Sequence, residues 1–154
     1  MTRFQVSTGP LSVANTGVTK TLIDLTTGGI GTGVAKWWIA SDATSAGTAT
    51  SGIRVQVGMF SAAVTTHTAY TPDPWDYGVQ GVGATTTAGI NTTVEGAGTP
   101  THIEEHVLGL TQSELIVWEP VNRIITISSF WRIRVIVPSG IGTTNLYAGV
   151  AWDE

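Results

Sequence analysis

Three stretches of this chain alternate apolar with polar or small side chains at a period of two, a pattern that commits them to β structure. In GIRVQVGMF, Ile53, Val55, Val57 and Met59 fall on one face, and Arg54, Gln56 and Gly58 on the other. In FWRIRVIVP, Trp131, Ile133, Val135 and Val137 alternate with Arg132, Arg134 and Ile136. In NLYAGVAWDE, Leu146, Ala148, Val150 and Trp152 alternate with Tyr147, Gly149, Ala151 and Asp153. Each reads as a strand with one buried face. Thr and Gly recur throughout, and both oppose helix, Thr by β-branching and Gly by backbone entropy.

Further strands are predicted at 3–8, 18–26, 34–41 and 114–119, with weaker signals at 67–71, 79–87 and 101–108. Links such as TTGGIGTG, SDATSAGTATSG and PSGIGTTN separate them. Strands at this spacing, with no strong helical pattern, predict an all-β fold, a jelly-roll-like antiparallel β-sandwich with long loops. One domain is expected over 1–154, with 1–10 as a contact arm. The Gly/Thr-rich stretch at about 70–100, which holds TPDPWDY, reads as a long excursion on one face.

Composition sets limits on function. Hydrophobic residues make up 42% and mean hydropathy is +0.20, enough for a real core. Only 12% of residues are charged, against about 25% in an ordinary soluble domain. Either Thr, Ser, Gly and Gln keep the surface in solution, or a partner covers part of it. Six Trp in 154 residues favour cover. A net charge of −4 argues against a broad contact with phosphate backbones, so no nucleic-acid partner is expected. The absence of cysteine excludes disulfides, thiolate metal sites and thiol nucleophiles. MTRFQVSTGP has no signal-like apolar run, and no stretch approaches the ~18 apolar residues of a membrane span. The expectation is synthesis in a cytoplasm, with no membrane partner.

The sharpest catalytic pattern is THIEEHV, where His102 to His106 fits H-x-x-E-H, an inverted zinc-protease motif that requires a helix. As a strand, the same residues put His102, Glu104 and His106 on one face, a weak candidate for a metal held by two imidazoles and a carboxylate. A polar strand face with no ligand is the simpler reading, and neither a metal nor any other cofactor is assigned. GGIGTG at Gly28–Gly33 superficially resembles a phosphate loop, but VAKWWIAS follows it, a strand and not a helix, so a hairpin is expected. Glu104, Glu105, Glu114 and Glu119 offer no pair fixed at a glycosidase separation. No catalytic residues are assigned, and the chain is not expected to be an enzyme.

Trp37 and Trp38 are more informative, because neighbouring strand residues point to opposite faces. A two-layer sandwich buries one of them in its own core. The other must lie under a loop, hold a ligand or meet a partner. Trp75 and Tyr77, in the 70–80 segment, are contact candidates for the same reason, as are Trp38 and the N-terminal Arg3 and Phe4. Arg132 and Arg134 share one strand face. They are solvated, pair with Glu119, or fork towards a partner carboxylate.

The order of segments resembles a known family. VWEPVNRIITISSFWRIRVIVPSG, a turn-rich link and NLYAGVAWDE follow a polar strand (KTLIDLTTG), a Trp-bearing strand (KWWIASD) and the alternating GIRVQVGMF. Together they are similar to the small capsid decoration, or cement, proteins of tailed bacteriophages. The resemblance runs from about residue 3 to 154, excepting about 70–100. It implies a homo-oligomer, most often a trimer, bound to the major capsid protein on the outer surface of the virion and made in the bacterial host cytoplasm. It carries no catalytic residues. The alternatives are another virion part, such as a head fibre base or a tail-associated receptor- or carbohydrate-binding sandwich, and a metalloenzyme built on His102 and His106.

Overall fold

The computed structural model describes residues 2–29, 31–43, 51–75, 83–110, 113–117, 123–125, 129–142 and 144–154, without the side chains of 43, 113–117 and 123–124. Its regular elements are strands: β1 (Arg3–Ser7), β2 (Leu11–Val13), β3 (Thr19–Thr26), β4 (Thr32–Ala43), β5 (Ile53–Phe60), β6 (Thr66–Tyr70) and β7 (Asp73–Pro74). They continue with β8 (Thr87–Val94), β9 (Pro100–Leu108), β10 (Ser113–Val117), β11 (Arg123–Ile125), β12 (Phe130–Ile136) and β13 (Thr144–Asp153). Sheet A runs β10-β4-β13-β1-β7, with β11 also on β4 and β2 also on β13; sheet B runs β6-β8-β3-β12-β5-β9. The paired strands are antiparallel. The fold is therefore the expected all-β, jelly-roll-like sandwich.

The alternating segments build its core. From sheet A, Phe4, Val6, Trp37, Ile39, Leu146, Val150 and Trp152 point inward; from sheet B come Leu22, Ile23, Leu25, Val55, Val57, Trp131, Ile133 and Val135. Phe4 packs on Trp152 with ring centroids 6.1 Å apart. Phe4 is thus a core residue and does not present its ring at the surface. Within the expected contact arm, residues 3–7 are built into sheet A as β1, hydrogen-bonded to β13 on one side and β7 on the other.

Two further expectations change. Gly28–Gly33 does not close a hairpin: β3 lies in sheet B and β4 in sheet A, so the glycines turn the chain from one sheet to the other. Gly28 is required there, since a Cβ would overlap the Thr85 carbonyl. The 70–100 segment is not wholly an excursion. Its TAGINTTV forms β8, inside sheet B between β6 and β3. Of the predicted 79–87 strand, 79–82 lie outside the described residues and 83–86 are not strand, so β8 begins only at Thr87.

β8 also explains how the outer face of sheet B is covered. Asn91 adopts φ 53°, a left-handed conformation that Asn tolerates better than most side chains. Beyond Ile90, β8 leaves β3 and continues with β6 alone. The links 61–65 and 95–99 then cross together, hydrogen-bonded through Ser61 N–H to Thr99 O and Thr65 N–H to Val94 O, both 3.0 Å. They form a strap above Arg132, whose Nη2 donates to the Ala62 carbonyl. Gly98 lets the strap lie this close, because a Cβ there would approach both Ala62 O and the Arg132 guanidinium.

Under and beside the strap, polar side chains link strand to strand. Arg54 and Gln56 both donate to Glu105, and Arg134 Nε donates to Gln56 Oε1 at 2.7 Å. Arg132 and Arg134 each lie 4.6 Å from the Phe60 ring centroid. Asp24, opposite Arg132 on β3, takes His67 Nδ1 at 2.9 Å across Gly89, where a Cβ would collide with the imidazole. Burial pushes the Asp24 carboxyl above the ordinary carboxylate range, and His67 and Arg132 partly offset that. Arg132 is 1% exposed. The two arginines are therefore engaged within the molecule and do not fork outward.

Candidate interaction surface

The outer face of sheet A has the opposite character. Strand alternation sends Lys36, Trp38 and Ala40 outward from β4, Tyr147, Gly149 and Ala151 from β13, and Gln5 and Ser7 from β1. Trp37 points inward, fully buried, with its ring edge-on to His106 at 5.2 Å. Trp38 cannot follow it. Its indole instead lies across β13 above Gly149, where a Cβ would overlap the ring. It is half-buried, with Gly149 and Ala151 as low ground beneath and beside it.

Tyr147, two residues from Gly149 along β13, is 37% exposed on the same face. At the other end stands Trp75, 39% exposed, whose N–H donates to the Arg3 carbonyl at 2.8 Å. Lys36 places its ammonium 3.7 Å from the Trp75 ring centroid, a cation–π contact that holds the indole beside the sheet. Arg3 forms a bidentate pair with Asp153 at 2.7 and 2.8 Å. That fork fixes both charges at the rim, so the ground between Tyr147 and Trp75 carries aromatic rings, small side chains, Gln5 and Ser7, with Lys36 held against Trp75.

The structure thus gathers three of the predicted contact residues, Arg3, Trp38 and Trp75, onto one face. Tyr77 lies outside the described residues, as do the side chains of Glu114 and Glu119. Sequence reasoning passed over Lys36 and Tyr147. Their signal was present in the alternation of KWWIASD and NLYAGVAWDE, but the cation–π geometry depends on the fold bringing Trp75 next to β4.

Segment 100–108 is a strand, not a helix, so the protease motif is not assembled. His102, Glu104 and His106 share one side of β9, as a strand requires, and His106 Nε2 stands 3.8 Å from Glu104 Oε2. Among the described residues no group of three or more His, Asp or Glu is placed to hold a metal ion. Among them, too, no helix is long and apolar enough to cross a membrane.

Fold and surface together define a class: an antiparallel β-sandwich with one internally tied polar face and one face that gathers aromatic rings. Compared with known proteins, the chain matches no family model, no curated protein and no solved structure.

Proposed function

We propose that this protein is a capsid decoration, or cement, protein: a non-catalytic module that self-associates, as a trimer, and binds the outer surface of a phage shell. The aromatic outer face of sheet A is the observation that carries this reading. Trp and Tyr are enriched where proteins meet, and charge is depleted at the centre of such contacts. Here Trp38, Trp75 and Tyr147 share a face whose Arg3 and Asp153 already neutralise each other. The resemblance in segment order described above is what supports this choice of family. A shell offers many identical sites, so a modest contact repeated over the particle gives firm attachment.

Mass spectrometry of purified virions tests it. The chain should be present at a copy number comparable to that of the capsid protein; its absence, or a few copies per particle, overturns the reading. Trp75→Ala should weaken association with capsids more than it lowers thermal stability. An equal loss of both would place Trp75 among the residues that hold the fold.

A second reading has one observation in its favour. An indole on the outer face of a sheet, as Trp38 is over Gly149, offers half-exposed aromatic surface against which a sugar can pack. A tail-associated carbohydrate-binding sandwich would use it. Glycan-array binding that is lost in Trp38→Ala, together with low copy number in the virion, would favour this reading over the first.

A further inference from the structure

The segment leading into β8 is held by a single carboxylate. Glu154 follows β13, and its backbone pairs with Thr2, with N–H···O contacts of 2.8 and 3.0 Å in the two directions. Its side chain turns towards residues 85 and 86. Oε2 accepts the Thr85 N–H at 2.8 Å and the Thr85 hydroxyl at 2.9 Å; Oε1 accepts the Thr86 N–H at 2.8 Å and the Trp152 indole N–H at 3.0 Å. Successive backbone N–H groups that converge in this way form a nest for an anion. The chain fills its own nest.

The position of the nest gives it leverage. Thr86 is buried, and its hydroxyl meets that of Thr32 at 2.6 Å. Thr85 sits over Gly28 at the corner between the sheets. Glu154 therefore fastens sheet A, through β13, to the start of a strand of sheet B. The same end of the molecule carries Trp75, whose N–H is fixed to Arg3, two strands from Glu154's own. Both ends of the connection from β7 to β8 are thus anchored at the same end of the β1–β13 ladder.

We propose that Glu154 is an acid-released clasp, which pins residues 85–86 to the sandwich while ionised and frees them when protonated. A neutral carboxyl cannot serve four donors with two anionic oxygens, so protonation removes the charge-assisted character of all of them. The other charged groups on the strands against it are Asp153 and Arg3, locked in their own pair; 83–86 and the corner at 27–34 bring hydroxyls and no ionisable side chain. Burial pushes the Glu154 carboxyl up, but the Thr86, Thr85 and Trp152 donors outweigh it and hold it below the ordinary glutamate range. The sign follows: the clasp contributes stability above the ordinary glutamate value, and that contribution is lost as pH falls through the lowered one.

Amide hydrogen exchange on the full chain, with Glu154→Gln beside it, tests the clasp. At pH 6.5 the Thr85 and Thr86 amides should be protected about tenfold more strongly in the natural chain than in the variant, while Val150 in β13 is protected equally in both. Equal protection at Thr85 and Thr86 in the two chains would overturn the proposal. Where the variant does not fold, the natural chain alone suffices. The Trp152 indole N–H resonance, followed through an acid titration, should shift before Val150 loses protection. If both change together, the clasp does not open separately from the fold, and the proposal fails.

Discussion

Adjacent tryptophans with opposite fates show what one residue decides. Trp37 is fully buried among core side chains, whereas Trp38 lies on the outer face of the same strand over a glycine. Trp37→Ala should cost about 3–5 kcal/mol, the usual cost of emptying a large aromatic site in a core. Trp38→Ala should cost well under half of that and leave the denaturant m-value unchanged. Urea unfolding of the two variants makes the comparison, and equal losses would show that Trp38 is a core residue in all but position. The split was legible in the sequence, because strand geometry alone separates neighbours. Arg132 was not. Its alternation correctly placed it away from Trp131, but its burial comes from a strap formed by residues about seventy and about thirty-five positions away, and no local pattern announces that cover.

Among the elements, β8 was the hardest to foresee and β9 the easiest to misread. TAGINTTV has only two large apolar residues, Ile90 and the exposed Val94, so it gives little hydrophobic periodicity, and its place in sheet B rests on pairing with β3 and β6. THIEEHVL fits either a helical motif or a strand when taken alone; eight residue pairs with β5 settle it as a strand. Asn91 offers a test of why β8 bends. Asn91→Gly should be tolerated within about 0.5 kcal/mol, since glycine enters the left-handed region freely. Asn91→Val should cost about 1–2 kcal/mol, the penalty for a β-branched residue at positive φ. Thermal melts of both variants would show the difference, and equal melting temperatures would mean that the bend does not depend on the Asn91 conformation.

Across the whole molecule the two outer faces use their few charges differently. Lys20, Arg54, Arg132 and Arg134 belong to sheet B, where each has a hydrogen-bond acceptor within the chain, while the outer face of sheet A carries aromatic rings, the Arg3–Asp153 pair, Lys36 against Trp75 and Asp42 near the end of β4. The charge deficit was readable from composition, and so was the all-β fold from alternation. Which sheet would be left bare was not, because it depends on the strap and on the two-sheet topology. The aromatic face is the part of the molecule on which the proposed attachment to a shell depends.

The pairing of Thr2 with Glu154 also determines how the molecule meets force. These residues sit side by side at one end of the antiparallel β1–β13 ladder. Tension applied between them opens the ladder one rung at a time, like a zipper, and loads each pair alone. A pull that drags β13 lengthwise past β4 must break their long run of bonds together. In single-molecule pulling, tethers at residues 2 and 154 should therefore yield at lower force than tethers that shear β4 against β13; the reverse order would mean that the clasp and the rim ion pair, not the ladder, bear the load.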